Sequence, residues 1–350
     1  MKMLLKLVML VGSLVLGGIF YVTGMPIPWL LGGIFVAIAS KNRWQERATL
    51  PRKWRNLGLT VVGYGIGYNL TPDTWTEMLA QTAGMVGATL LAVAIALAIA
   101  WWMARSEQVD LQSCIMGLLP GGFTQMAVMA AEDSRTNKNI VLVMQSLRLV
   151  SIIVAVPFLV THGLGAETVA TTESLTVTTG FSLWPILPLA LLAGMIAERL
   201  KLSTPYLMGP IFATAVAAFT WGPLNTVPLW LMAPAQISIG LNMGLGIDLQ
   251  QIKMLKPLLP YTFFGIVAML VASIGVAFVL SAHYGFSLIT AFLAMAPGGL
   301  GEMCLVGLSM GENVPIILTY QLFRFLFLNI AAPLGINCYF GSPPPQAEDE

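Results

Sequence analysis

Long apolar blocks, rather than any amphipathic period, dominate this chain. Runs of spanning length cover Met3–Tyr21, Met78–Met103, Ile140–Val160, Trp184–Ala197, Leu258–Ala282 and Val314–Tyr339. A bilayer core of about 30 Å is crossed by about 20 helical residues, so each run predicts a transmembrane helix. Shorter, glycine-rich runs at Ile27–Ser40 and Leu57–Leu70 predict more. Two stretches interrupt the pattern: LLPGGFTQM, from Leu118 to Met126, and MAPGGLGEM, from Met295 to Met303. Pro-Gly-Gly is a strong helix-breaking signal, and here it lies inside apolar sequence at matching points of the two halves.

Other stretches repeat with the same spacing. PWLLGGIFVA (Pro28–Ala37) matches PYLMGPIFAT (Pro205–Thr214), and GIGYNL (Gly65–Leu70) matches GLGIDL (Gly244–Leu249). QSLRL (Gln145–Leu149) matches QLFRF (Gln321–Phe325), and Pro157 matches Pro333. Such self-similarity is the signature of an internal duplication. It divides the chain into a first membrane repeat at 1–160, an extracytoplasmic linker at 161–182, a second membrane repeat at 183–340 and a polar C-terminal tail at 341–350.

Charge decides how the broken segments lie. Lys and Arg near span ends favour the cytoplasm. With a cytoplasmic N-terminus and re-entrant broken segments, every Lys and Arg outside helix interiors falls on the cytoplasmic side. If the broken segments cross as kinked helices, Arg135, Lys138, Arg199, Lys201, Lys253 and Lys256 move outside. The first arrangement predicts an all-α integral membrane protein: two inverted repeats of five transmembrane helices, each with a re-entrant Pro-Gly-Gly hairpin. Arms of nine or ten residues reach about 14 Å, placing the tips near the midplane. The expected location is a bacterial inner membrane, with both termini cytoplasmic.

Composition supports a membrane class and excludes others. The chain is 57% hydrophobic and 9% charged, against roughly 25% charged in soluble domains. Cys114, Cys304 and Cys338 show no metal or disulfide spacing, and His162 and His283 stand apart at helix ends. No metal site, cofactor, nucleotide motif or nucleic-acid patch is expected, and no enzymatic activity. The bilayer and a small anionic ligand are the expected partners; a homodimer is left open.

The candidate site gathers around the breaks. Glycine admits close ligand approach, and the helix starting after each tip aims its partial positive end inward. The substrate-binding candidates are Gly121, Gly122, Thr124, Gln125, Gln145, Arg148, Gly298, Gly299, Glu302, Gln321 and Arg324. Each Gln precedes its Arg by three residues, so the two share a helix face. An intramembrane arginine is expensive and by default functional; the structural alternative is that it caps carbonyls of the broken helix or pairs with Glu302. Glu302 stands where the first half has Gln125, and coupling to H+ or Na+ through it is the alternative to an ion pair.

The duplicated Pro-Gly-Gly-x-x-x-Met, the duplicated Pro-x-x-x-Gly segment and the paired Gln-x-x-Arg resemble the membrane AbrB family, marked by the AbrB duplication, over roughly Leu10 to Leu334. The family has carried the labels regulator of gene expression and ammonia monooxygenase. Two separated histidines make no copper or iron site, and KNRWQERATLPRKWR is a basic loop rather than a DNA-reading module. The architecture also looks similar to the sodium–glutamate symporter and 2-hydroxycarboxylate transporter families, a fold-level analogy only. The expected function is therefore secondary transport of a small anionic solute by alternating access. The alternative is a membrane-embedded sensor or regulator acting on gene expression indirectly, without net transport.

Overall fold

The computed structural model describes residues 2–44, 50–70, 80–164, 183–202, 204–222, 224–247, 252 and 255–341. Most of the expected linker and nearly all of the polar tail lie outside them. No β-strand occurs among the described residues. The helices of the first half are α1 (Lys2–Val22), α2 (Pro28–Trp44), α3 (Arg52–Gly67), α4 (Thr82–Glu107), α5 (Leu111–Leu118), α6 (Phe123–Glu132) and α7 (Lys138–Phe158). Those of the second half are α8 (Leu183–Arg199), α9 (Pro205–Trp221), α10 (Leu229–Gly246), α11 (Leu259–Tyr284), α12 (Leu288–Met295), α13 (Leu300–Ser309) and α14 (Val314–Phe340). Each helix of the first half thus has a counterpart seven places later.

Among the described residues, five stretches are long and apolar enough to cross a membrane: Leu5–Val22, Thr82–Glu107, Lys138–Gly163, Lys256–Tyr284 and Val314–Phe340. Large apolar side chains such as Leu14, Trp101, Phe263 and Leu334 stand exposed on them. In water they would be a liability; in lipid they are solvated. The protein is an all-helical membrane protein by these features.

The chain forms two compact units. The first holds Met1–Ala80, Val154–Ile247 and Gly301–Leu318; the second holds Gln81–Ile153, Asp248–Leu300 and Thr319–Glu350. Within the first unit α1 packs on α2 as α8 packs on α9, and α2 packs on α10 as α9 packs on α3. In the second unit α4 packs on α5 as α11 packs on α12, and α4 meets α11. Matching elements therefore make matching contacts, as a duplicated sequence requires.

The first unit is held by backbone-to-backbone approach. A β-carbon on Gly240 would stand 2.2 Å from the Leu30 carbonyl oxygen, and one on Gly63 would stand 2.7 Å from the Leu207 oxygen. These are counterparts in the two repeats. Lipid supplies no hydrophobic drive between membrane helices, so small residues that permit close packing carry much of the association.

Candidate functional site

The breaks form for local reasons, twice in the same way. Asp110 caps α5 by accepting from the Ser113 N–H at 2.6 Å, and Ser287 caps α12 by accepting from the Thr290 N–H at 2.9 Å. Eight residues later each helix stops before a proline. A residue preceding proline is pushed out of the α region: Leu119 takes φ −57, ψ 129 and Ala296 takes φ −52, ψ 132. The new helices then start after Gly122 and Gly299. At about 1.5 Å per residue these arms of eight and ten residues reach only about 12–15 Å. Gln112, near the start of α5, donates to the Asp133 carboxylate beyond the end of α6 at 2.7 Å, and the Asn137 N–H donates to Ser113 Oγ at 2.7 Å. The first pair of arms folds back so that its outer ends meet.

A loop closes that fold-back. Asp133 is buried and takes three hydrogen bonds from Arg135 besides that of Gln112; Arg135 also donates to the Phe340 and Gly341 carbonyls. The Arg135 guanidinium beside Asp133 holds its carboxyl well below the usual carboxylate range.

A helix end leaves its last carbonyls without partners, and in lipid these are costly. The paired Gln and Arg meet them. Gln145 Nε2 donates to the Met116 carbonyl at 2.6 Å and to Leu119 at 3.1 Å; Arg148 donates to Leu119 and, at 3.4 Å, to Leu118. In the second half Gln321 Nε2 donates to Leu293 at 2.7 Å and to Ala296 at 3.0 Å. Arg324 donates to Met295 and Ala296, both at 3.0 Å, to Gly298 at 3.4 Å, and to Gln321 Oε1. Apart from Gly298, the backbone acceptors of the two sets are counterparts across the duplication.

One asymmetry stands out. Arg324 binds Gln321 Oε1, but Gln145 Oε1 and Arg148 Nε have no partner among the described residues, although the two residues are only 1% and 5% exposed. Arg148 and Arg324 belong to the same unit, lie close enough for their charges to repel, and are both nearly fully buried. Neither forms an ion pair among the described residues.

The other expected site residues divide. Gly121, Gly122, Gln125, Gly298 and Gly299 belong to the same unit as the arginines. None of the four tip glycines takes a positive φ; they matter for missing bulk, not for backbone freedom. Gln125 donates to the Asn329 carbonyl at 2.7 Å. The side chain of Thr124 lies outside the described residues. Glu302, half-buried, belongs to the other unit, where the cation acting on it is Arg55. The Arg324 guanidinium is occupied by carbonyls and Gln321. Asn329 was not among the sequence candidates; its signal was Pro333 four residues later, which has no N–H to give the Asn329 carbonyl.

The chain is 25% identical over 348 residues to "Uncharacterized protein YhjN" of Bacillus subtilis (strain 168), covering 91% of this chain and 88% of the relative. It is 27% identical over 326 residues to "Putative regulator AbrB" of Escherichia coli (strain K12), covering 92% of each. A family profile described as "Transition state regulatory protein AbrB" matches residues 29–339. With nearly the whole duplicated region matched, this chain belongs to the AbrB family.

Proposed function

We propose that this protein is a secondary carrier of a small anionic solute, working by alternating access in a bacterial inner membrane. The observation that carries the reading is the pair of buried guanidiniums in one unit. Each arginine sits against the C-terminal end of a broken helix, worth about half a negative charge. Two cations against two such ends leave about one positive charge unbalanced, and the start of α6 adds about half of one more. An uncompensated buried charge costs several kcal/mol; a bound anion removes that cost. The unpartnered Arg148 Nε offers a donor for it.

The ten-span reading has separate support. Besides the five longest apolar stretches, α2, α3, α8, α9 and α10 have 16 to 18 residues. That is about 24–27 Å of helix, enough for a slightly thinned bilayer. The Gln112–Asp133 bond favours a re-entrant first hairpin, and the charge distribution favours inverted repeats with both termini cytoplasmic. Single cysteines at 131–139 are expected to react with an impermeant thiol reagent from the cytoplasm, and those at 309–313 from outside. Labelling of the first loop from outside would overturn the inverted arrangement.

Function is tested on detergent-purified protein with a panel of organic and inorganic anions. A ligand that binds the folded state raises the melting temperature by mass action. At least one small anion is expected to do so, and to accumulate in proteoliposomes. If no anion stabilises, the reading fails. Binding without flux would instead make the protein a membrane-embedded sensor, in line with the word regulator in the relative's name.

A further inference from the structure

Beside the first tip lie two oxygens that nothing in the helix-capping scheme uses. Pro333 has no N–H, so the carbonyl of Asn329, four residues earlier, loses its helical donor. Gln125 Nε2 fills that place at 2.7 Å. This fixes the carboxamide, because turning it would set oxygen against oxygen. Gln125 Oε1 is thereby pointed elsewhere, and it is buried without a partner among the described residues. Asn329 Oδ1 is in the same condition.

Both groups border Gly122. A β-carbon there would stand 3.3 Å from both Asn329 Oδ1 and Phe325 Cε2, and 3.9 Å from Gln125 Cβ. Only the missing side chain of Gly122 lets the start of α6 lie this close to the Asn329 carboxamide and the Gln125 side chain. A third unpartnered acceptor in this unit, Gln145 Oε1, belongs to a side chain only 1% exposed. The second tip has no such pair: the positions matching Gln125 and Asn329 carry Glu302 and Ile153.

Buried oxygens without donors are costly, and they call for a donor. A metal cation fits poorly. Arg148 binds the Leu119 carbonyl, three residues before Gly122, so its charge stands within about 11 Å of chain from the tip. The start of α6 adds its own partial positive charge. The donor must therefore arrive on a molecule whose overall charge suits an electropositive site.

We propose that the solute held at the first tip is an acid that also carries a hydrogen-bond donor near its carboxylate, an ammonium or hydroxyl group, and that Gln125 Oε1 and Asn329 Oδ1 accept from it. This rests on the anion-carrier reading and narrows it. The carboxylate answers the arginines and the α6 terminus, and the neighbouring N–H or O–H answers the carboxamides. A bare acid leaves the two oxygens buried and unmet, and sites built to pair a hydroxyl or amine reject analogues lacking it.

The test uses matched skeletons on the purified full chain: propionate, lactate and alanine, then succinate, malate and aspartate, at equal ionic strength. In at least one series a donor-bearing member is expected to raise the melting temperature with an affinity roughly tenfold or more above the bare acid. Asn329→Leu keeps the backbone carbonyl that Gln125 needs and removes only the side-chain oxygen. It is expected to level that preference. Asn329→Ser, which keeps a shorter acceptor, is the second variant should leucine fail to fold. Bare acids that bind as well as their donor-bearing partners would overturn this inference while leaving the carrier reading intact; water would then serve the two oxygens. A preference unchanged in a folded Asn329 variant would remove these residues from the site. If the proposed-function panel finds no stabilising anion at all, both readings fall together.

Discussion

Gly240→Ala is expected to destabilise the first unit severely, although it adds a single methyl group. Its β-carbon would meet the Leu30 carbonyl oxygen at 2.2 Å and the Leu30 carbonyl carbon at 3.1 Å. Those are backbone atoms of α2, and no side-chain rotation relieves them. The helices must separate, losing contact along their shared face, where a β-carbon on Gly33 or Gly244 would also fall within 3.0 Å of backbone. Overpacking commonly costs about 1–3 kcal/mol, and a displaced helix pair belongs at or above the top of that range. Gly63→Ala is expected to act in the same direction less strongly, since its approach to Leu207 is 2.7 Å. Gly18→Ala is the control: nothing lies within 4 Å of its β-carbon, and alanine favours helix by about 1 kcal/mol. The midpoint of heat-induced loss of the monodisperse peak on gel filtration measures all three. Gly240→Ala melting with the wild type would refute the close-packed account of this unit.

Arg324→Met is expected to have the second large effect, on stability and on anion binding together. Methionine keeps length and apolar bulk but removes the charged donors to the Met295 and Ala296 carbonyls, leaving those to Ser273 and Gln321, and strips buried Gln321 Oε1 of its partner. A hydrogen bond from a charged group contributes about 1.5–3 kcal/mol and an unmet buried acceptor costs about 1–3 kcal/mol, so a loss of roughly 3 kcal/mol is expected. The lost charge should also weaken anion binding by about 10- to 100-fold, the scale of one charge-assisted hydrogen bond. Arg324→Lys keeps the charge without the planar fork, and should retain more binding than stability. Thermal melting with and without the best stabilising anion separates the two effects. A stable Arg324→Met protein would refute the carbonyl-capping role. A destabilised one with undiminished anion response would make this arginine scaffold alone and leave Arg148 and the α6 terminus as the anion site.

The two roles weighed for the arginines were scaffold and ligand site. The geometry assigns the scaffold role directly, through five carbonyls shared between Arg148 and Arg324. The ligand role proposed above would fall to the atoms left over, Arg148 Nε above all. Gln-x-x-Arg was legible as a repeated pair on one helix face. That the glutamine reaches the same broken helix as its arginine was not, because its acceptors lie 26 to 29 positions away. Glu302 was legible as an ionisable break in the symmetry, but that it falls in one unit and Arg324 in the other depends on how the chain is shared between them.

What the sequence determined by itself was whatever is local or compositional. Apolar run length reported the membrane character. Pro120 and Pro297 forced Leu119 and Ala296 out of the helix, since a residue before proline is sterically barred from the α region. The duplication could be read because matching residues occupy matching chain positions. Only the tertiary structure decided the partners of the groups those breaks set free. Pro333 announces an orphan carbonyl at Asn329, but the donor that meets it, Gln125, is 204 positions away. That the Gln125 carboxamide oxygen then stays unpaired among the described residues follows from that contact. Breaking a helix is a matter of backbone sterics within a few residues; satisfying the broken end in a medium without water falls to whichever side chain the packing brings near.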